Sequence, residues 1–323
     1  MRRRDFMIGI CSCSARPFVA RAQPVLPVIG YLNSRARGAE PALLEAFHDG
    51  LKAAGYVVGQ NVAIEYRFAE NNNDRLAALA ADLVHRQVSV IFANGPGVIP
   101  AKAATATVPI VFAIGFDPIQ LGVVGSLNRP GGNVTGVVSL FDEIGPKRLE
   151  LAHQLVPTAT QMTALLDPTY PSTDSQAEAL QAAAQILGLK LDVRSASTDH
   201  DLDEVFAAMA QQRPGALVIG NAPFFNSRAA AIATMSTRRA TASIFQTREF
   251  VTAGGLMSYG PNLADAYRTA GTYAGRILKG EKPAELPVQR SSKFEMFINQ
   301  KTAKSLGVTV PFALLSNADE AIE

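Results

Sequence analysis

The sequence predicts an α/β protein built as two similar Rossmann-like lobes, each a parallel sheet flanked by helices. Three observations carry that expectation. The chain has 323 residues with 48% hydrophobic, 18% charged and 7% aromatic content, proportions of a globular protein with room for about two domains of 100 to 200 residues each. Short β-branched runs alternate with Ala-rich stretches of helical periodicity, the pattern of sheets covered by helices. The alternation also occurs twice: strands are expected to start at residues 28, 62, 88 and 109, then at 162, 189, 216 and 242, with offsets between 127 and 134.

In the first half the expected strands are Val28 to Asn33, Val62 to Phe68, Val88 to Asn94, Pro109 to Gly115 and Asn133 to Ser139. The helices between them carry apolar stripes at helical spacing, Leu43, Leu44, Phe47 and Leu51 in the first and Leu76, Leu79 and Leu83 in the second, which mark core-facing sides. Gly55 stands where the first helix should stop, since a glycine tolerates the left-handed turn that ends a helix.

In the second half the strands are Met162 to Asp167, Leu189 to Ser197, Ala216 to Asn221, Ala242 to Thr247 and Gly255 to Tyr259, with Gly188 as the matching helix stop. The third strands end alike, in Asn94-Gly95-Pro96 and Asn221-Ala222-Pro223. Duplication and shared architecture both account for that likeness. A further helix is expected from about Leu263 to Lys279, ending at Gly280. Pro283 and Pro287 then mark a crossing segment before a strand at Lys293 to Ile298 and a last helix near Lys301 to Leu306.

The formal charge of +2 is unevenly placed. Residues 1–22 hold five arginines against Asp5, a net of +4, so the rest of the chain carries −2, and a nucleic-acid partner is not expected. Arg3 and Arg4, a short apolar run from Met7 to Ala15 and the small-residue stretch Ala20-Arg21-Ala22 read as a twin-arginine export signal cleaved after Ala22. A basic N-terminal tail without a targeting role is the plainer alternative. Cys11 and Cys13 both lie in this leader, so the mature chain is expected to be free of thiols and disulfides. Ile10 to Cys13 is also a poor lipoprotein box, with acylated Cys13 as a membrane anchor the minor alternative. No later stretch reaches the roughly 18 apolar residues of a membrane span, so the expected product is a soluble periplasmic protein.

The first strand runs into Tyr31-Leu32-Asn33-Ser34 without a Gly-x-Gly-x-x-Gly turn, and no Gly-x-x-x-x-Gly-Lys-Ser/Thr loop occurs, so no nucleotide cofactor is expected. His48, His85, His153 and His200 lack paired ligand spacing, so no metal is expected. No Gly-x-Ser-x-Gly elbow occurs either. What remains is the set of polar and aromatic residues at the carboxyl ends of the strands, where open parallel sheets bind ligands. The candidate ligand-binding residues are Asn33, Ser34, Gly95, Pro96, Phe116, Asp117, Asp167, Tyr170, Asn221, Phe224, Arg248, Glu249 and Tyr259. Flat apolar faces with single charges of both signs suit a small zwitterion or aromatic acid. Arg248 is the candidate partner of a ligand carboxylate and Asp117 of a ligand ammonium. One ring of the Phe224-Phe225 pair is expected to face the cleft. Asn33, Asn94, Asp117 and Asn221 equally suit helix caps and turns.

With these residues in view the chain resembles the substrate-binding proteins of ABC transporters, in the tryptophan- or tyrosine-type group. The carriers are VIGYLNS (Val28 to Ser34), Ala54 to Tyr56 leading to GQNVAIEYRFAE (Gly59 to Glu70), LAADLVHRQVSVI (Leu79 to Ile91) and KAATATVPIVF (Lys102 to Phe112). LNRPGGNVTGV (Leu127 to Val137), PFFNSR (Pro223 to Arg228) and AGGLMSYGPN (Ala253 to Asn262) complete them, the Asn-Arg-Pro-Gly-Gly-Asn-Val-Thr-Gly run being the most specific. The resemblance implies a type I periplasmic-binding-protein architecture, with two lobes joined by three hinge crossings and a ligand caught between them. The implied partition is residues 27–140 plus 256–286 for the first lobe and 141–255 plus 287–323 for the second, with hinges near Gly145-Pro146 and Pro283 to Pro287. The implied function is capture of a small organic solute by hinge closure and delivery to a membrane permease, by a monomer without cofactor or catalysis. A ligand-sensing module for a receptor is the second reading. An exported enzyme using Asp117, Asp167 or Glu249 as acid or base is the third.

Overall fold

The computed structural model describes residues 26–139 and 141–323. The expected export leader with Cys11 and Cys13 lies outside the described residues. The chain runs β1 (Val28–Asn33), α1 (Pro41–Ala53), β2 (Ala63–Phe68), α2 (Leu76–His85), β3 (Val90–Asn94), α3 (Val98–Ala104), β4 (Ile110–Ile114) and β5 (Val134–Val138). Then come α4 (Gly145–Leu155), β6 (Gln161–Leu166), α5 (Thr173–Ile186), β7 (Lys190–Ser195), α6 (Asp199–Gln212), β8 (Ala216–Ile219), α7 (Pro223–Ser227), α8 (Ala229–Arg238), β9 (Ala242–Phe245) and α9 (Arg248–Thr252). The last part is β10 (Met257–Pro261), α10 (Leu263–Leu278), β11 (Gln289–Arg290), β12 (Phe294–Asn299), α11 (Gln300–Leu306), α12 (Phe312–Asn317) and β13 (Glu320–Ile322).

Two sheets result, one ordered β11-β5-β4-β3-β1-β2 and the other β13-β12-β10-β9-β8-β6-β7. All pairings are parallel except β10 with β12, which is antiparallel. Each sheet has the doubly wound order in which a crevice opens at the carboxyl ends of the strands. All eleven strands and both later helices read from the sequence are present, trimmed by one or two residues at most ends. β11, α12 and β13 are additions, all too short to show a period.

The observed pairing moves two expected boundaries. Residues 256–286 were expected with the first half, yet Met257–Pro261 pairs with Phe294–Ile298 and with β9 in the second sheet. Residues 287–323 were expected with the second half, yet Gln289 and Arg290 pair with Val137 and Val138 of β5. The chain therefore passes between the sheets near residues 141–144, 261–262 and 291–293. Gly145-Pro146 already opens α4, and Pro283–Glu285 is a 3-10 turn preceding β11. At the second and third passages the Asn262 N–H donates to the Lys293 carbonyl at 3.0 Å and Asn262 Nδ2 to Glu295 Oε1 at 2.7 Å. The two strands thus cross as one hydrogen-bonded ribbon.

The return of α10 to the first sheet rests on a helix pair made from small residues. Pro41 opens α1, whose buried side is Leu43, Ala46, Phe47, Gly50 and Leu51; Leu44 is only half-buried at its flank. Gly50 faces the Arg268 carbonyl and Gly271 faces the Phe47 carbonyl so closely that an added Cβ would lie 1.9 and 2.1 Å from those oxygens. Thr272 Oγ1 donates to the Gly50 carbonyl at 3.3 Å. This contact fixes α10, and with it Tyr267, against the sheet whose tips form the cleft.

Gly271→Ala should force α1 and α10 apart and destabilise the fold by about 1–3 kcal/mol, a fall of several degrees in midpoint. Thermal unfolding of the variant checks this; an unchanged midpoint would mean that the helices are not held at this separation.

Candidate functional site

The carboxyl ends of the two sheets face each other, and the sequence builds the first rim from one turn. Asn33 Oδ1 accepts the Arg35 N–H at 2.8 Å, a local turn that an Asn at a strand end makes readily, and this aims Arg35 into the cleft. The Ser34 N–H donates to Asn94 Oδ1 at 3.0 Å, and Asn94 Nδ2 donates to the Tyr267 hydroxyl at 2.8 Å. The tips of β1 and β3 and the first turn of α10 are thereby one polar network. Burial lowers the Arg35 pKa, while Tyr267, Glu249, Tyr31 and Tyr170 act in the opposite sense.

The second rim is built around Asn221, just past β8. Its N–H donates to Gln176 Oε1 at 2.8 Å, and Gln176 Nε2 returns a bond to the Asn221 carbonyl at 3.2 Å. The Asn221 side chain is therefore directed outward, where Nδ2 reaches Asp142 Oδ1 at 3.0 Å and the Tyr170 hydroxyl at 2.9 Å. Ser172 Oγ donates to Asp142 Oδ2 at 2.5 Å, and the Asp142 N–H donates to the Gly115 carbonyl at the tip of β4 at 3.3 Å. The first passage between the sheets is thus tied to both rims.

The rims meet closely. A Cβ on Gly95 would touch Pro223 Cγ at 3.5 Å, and one on Gly115 would lie 2.3 Å from Asn221 Nδ2. Between them lies a cavity of about 40 Å³ lined by Arg35, Asn94, Gly95, Ser139, Tyr170, Asn221, Asn226 and Tyr267 among others. It shares Arg35, Asn226 and Leu263 with a cavity of about 180 Å³ at the N-terminus of α1, whose other wall includes Thr247 and Glu249. A third space of about 300 Å³ continues along Ala42, Leu43, Glu249, Pro261 and Phe297. Convergent polar groups from two bodies around a partly enclosed space are what recognition of a small molecule needs.

The structure brings together at this cleft Asn33, Ser34, Gly95, Tyr170, Asn221 and Glu249 of the residues expected from sequence. Phe116 packs its ring edge-on to Tyr170 at 6.0 Å, and Pro96 is buried in the turn behind Gly95. Other candidates have partners of their own. Arg248 lines the third space, where it pairs with Glu320 at 2.5 Å and lies 4.9 Å over the Phe297 ring. Asp117 caps its own turn through the N–H groups of Ile119 and Gln120, beside a separate groove with Asp142 and Glu143. Asp167 Oδ1 accepts from the N–H and hydroxyl of Thr169, and burial raises its pKa against those bonds. Tyr259 stacks on Phe294.

One ring of the phenylalanine pair is expected to face the cleft, yet neither residue lines the three spaces described above, and both pack in the apolar core, Phe224 8% and Phe225 0% exposed. Both fit inside because Pro223–Ser227 is a helical turn rather than an extended loop, so consecutive side chains diverge by about 100° without either reaching the surface.

Sequence reasoning missed Arg35, Asp142, Asn226 and Tyr267. Arg35 stands one residue beyond the first strand-tip pair, Asn33-Ser34, and was legible as the only cation adjoining a predicted tip of the first lobe. Asp142 lies just before the Gly145-Pro146 segment expected as a hinge, and Tyr267 lies inside the helix expected from Leu263 to Lys279, away from any strand tip.

The family described as ABC transporter substrate binding protein matches residues 39–322. A tyrosine-binding protein of Clostridioides difficile (strain R20291) is 24% identical over 263 residues, spanning 81% of this chain and 75% of that protein. The crystal structure of a conserved domain protein from Vibrio cholerae matches with a TM-score of 0.84 at 26% identity, covering 92% of this chain and 100% of that one. An ABC domain from Streptococcus pneumonia in complex with L-Trp gives the same TM-score of 0.84 at 25% identity, again over 92% and 100% of the two chains. Two mostly parallel sheets with helices on their faces and three passages between them make this the type I periplasmic-binding-protein fold.

Burial pushes the Asp142 carboxyl up to about 7, against the pull of Ser172, Asn221 and the Arg148 guanidinium. Unfolded, the same group titrates near 3.8. Between those values the folded chain holds a proton that the unfolded chain does not, so stability falls as pH rises through the window and levels off above about 7. Asp142→Asn should remove this component: relative to the parent, the variant gains on the order of a few kcal/mol between about pH 4.5 and pH 7.5. Urea unfolding at both pH values measures it, and parallel pH profiles for the two proteins would show that Asp142 is not buried in solution.

Proposed function

The chain belongs to the ABC transporter substrate-binding protein family, and from that premise we propose that it captures a small organic solute between its lobes and delivers it to a membrane permease. The observation that carries this reading is the meeting of the two rims: Arg35, Asn94 and Tyr267 come from one sheet and Tyr170 and Asn221 from the other, around the same cavity. A solute touching both sets stabilises the closed arrangement by its preference for it. The first lobe then comprises residues 26–139 with 262–291, and the second 141–261 with 292–323.

The related proteins from C. difficile and S. pneumonia are described with tyrosine and L-Trp, and an amino acid or aromatic acid is accordingly the solute class proposed. The protein acts as a monomer in the periplasm, exported through the twin-arginine motif at Arg3-Arg4, with acylation of Cys13 the lesser alternative. Binding without turnover is supported by the dispersal of the three acidic candidates, since Asp117 and Asp167 are spent on separate turns and Glu249 lies on another wall.

In a thermal-shift panel of amino acids, aromatic acids, other carboxylates and sugars, the cognate solute at about 100 times its Kd should add roughly 2.7 kcal/mol, a rise of several degrees, with the compound recovered unchanged. No response to any compound would sink the solute-binding reading. Gly115→Ala should prop the rims apart at Asn221, lowering affinity by about tenfold or more while leaving the melting of the solute-free protein near that of the parent; calorimetric titration separates the two effects.

A further inference from the structure

The base of the second lobe, the end away from the cleft, carries a row of cations without counterions. β6 to β10 begin at that end and the antiparallel β12 finishes there. The turns that join them, residues 156–160, 187–190, 212–215, 238–241, 253–256 and 299–301, contain no acidic residue. They hold Lys190, Arg213, Arg238, Arg239 and Lys301, all exposed and none in an ion pair among the described residues. Elsewhere on the lobe cations are matched, Lys147 with Glu150, Arg228 with Asp199 and Arg248 with Glu320. Even Asp192, two residues past Lys190, is taken by Arg194 at 2.7 Å.

The sheet holds these turns side by side. The Lys190 N–H donates to the Thr160 carbonyl and the Gly215 N–H to the Gln161 carbonyl, both at 2.9 Å. Thr237 Oγ1 and Thr302 Oγ1 donate to the same Gly254 carbonyl at 3.2 and 3.0 Å, which brings the backbones of Arg238 and Lys301 to one place. Helix stability explains only part of the row. Arg213 and Arg239 follow the C-termini of α6 and α8, where a cation is favoured, but Lys301 stands in the first turn of α11, where the helix dipole disfavours it. Beyond residue 22 the chain carries a net charge of −2, so the base opposes the sign of the whole. Beside it Ile186, the last residue of α5, is 87% exposed.

Resting on the transport reading above, which puts the chain beside a permease and so beside a bilayer, we propose that the base of the second lobe binds the anionic headgroups of a phospholipid membrane. Each lysine or arginine near such a surface adds to the attraction, and Ile186 offers an apolar side chain to the headgroup layer among them. A nucleic acid would meet the same charge, but these turns hold no aromatic residue on which a base could stack. The cleft lies at the opposite end of the lobe, so a chain held by its base keeps both rims and their cavities free. Its search for a permease then runs along a surface rather than through a volume.

The test sediments the full chain with vesicles of phosphatidylcholine containing phosphatidylglycerol and with vesicles of phosphatidylcholine alone. The parent should bind the first and not the second, and added salt should release it as the exposed charges are screened. Arg238→Gln, Arg239→Gln and Lys301→Gln together should weaken binding about 10- to 100-fold. Lys52→Gln, Arg129→Gln and Lys279→Gln together remove the same charge from exposed positions of the first lobe and should change it less than about threefold. Both triple variants should melt with the parent, and the leader's arginines are common to all three proteins. Equal binding to the two kinds of vesicle, or equal losses in the two triple variants, overturns the proposal. So does retention by a mixed-sequence DNA duplex at a salt concentration that releases the chain from the vesicles. None of these readouts contains a solute, so their failure leaves the solute-binding reading standing, whereas a silent thermal panel with vesicle binding intact removes that reading alone.

Discussion

The centre of this molecule depends on the hydrogen bonds of Asp142. Its carboxylate receives Ser172 Oγ and Asn221 Nδ2 from the second lobe while its own N–H holds the Gly115 carbonyl of the first. A residue on the first passage between the sheets thus fixes how far the β4 tip stands from the β8 tip. Gly115 has no side chain because Asn221 occupies the space a Cβ would need. The same Asn221 side chain is turned toward Asp142 by its backbone bonds with Gln176, so the geometry of the rim is inherited from α5, deep in the second lobe.

Two buried arginines show how differently charge is managed on either side of this point. Arg148, fully buried at the start of α4, keeps one bond, from Nη2 to the Phe141 carbonyl at 3.3 Å. Burial lowers its pKa to about 10, and Asp142 is the charge that resists the fall. Asp142 is therefore held between opposing demands: burial favours its neutral form, whereas Arg148 and two donors favour its ionised form. Arg35 is closed off from solvent as well, yet its countercharge Glu40 sits in direct contact and both residues line a cavity. Geometry makes the first arginine a part of the hinge and the second a part of the cleft.

The sequence showed the strands and their tips almost completely, because apolar β-branched runs such as Val28–Asn33 and Val90–Asn94 are set by burial on both faces and need no tertiary information. The tips that the two lobes share, Asn94-Gly95-Pro96 and Asn221-Ala222-Pro223, do face each other at Gly95 and Pro223. What the sequence could not show is which polar tip residue is spent locally. Asn33 and Asp117 both make two-residue turns, but the first turn delivers Arg35 to the cleft and the second delivers nothing to it. Arg248, the cation the sequence offers for a ligand carboxylate, has Glu320 beside it, and Glu320 belongs to β13, three residues long and invisible to any period. Tyr267 was hidden for the opposite reason: it sits inside an expected helix, away from any strand tip, and the glycine contacts of α10 with α1 place its hydroxyl against Asn94.

Those glycines also decide where the molecule can bend. α10 is locked to α1 by Gly50 and Gly271 at backbone contact, so Tyr267, Asn94 and Arg35 move as one body with the first sheet. The β10–β12 ribbon is equally bound into the second sheet. Relative motion must then be taken up in the few residues between these bodies, at 141–144, at Pro261-Asn262 and near Ser291 to Lys293, as hinges usually do. Of these, the Asn262 bonds to Lys293 and Glu295 tie the second and third together, while at the first Asp142 accepts from Ser172 and Asn221 through its carboxylate and donates its N–H to the Gly115 carbonyl of the first lobe. The residue whose N–H reaches across to the Gly115 carbonyl and the residue whose ionisation is poised by burial are the same one, Asp142.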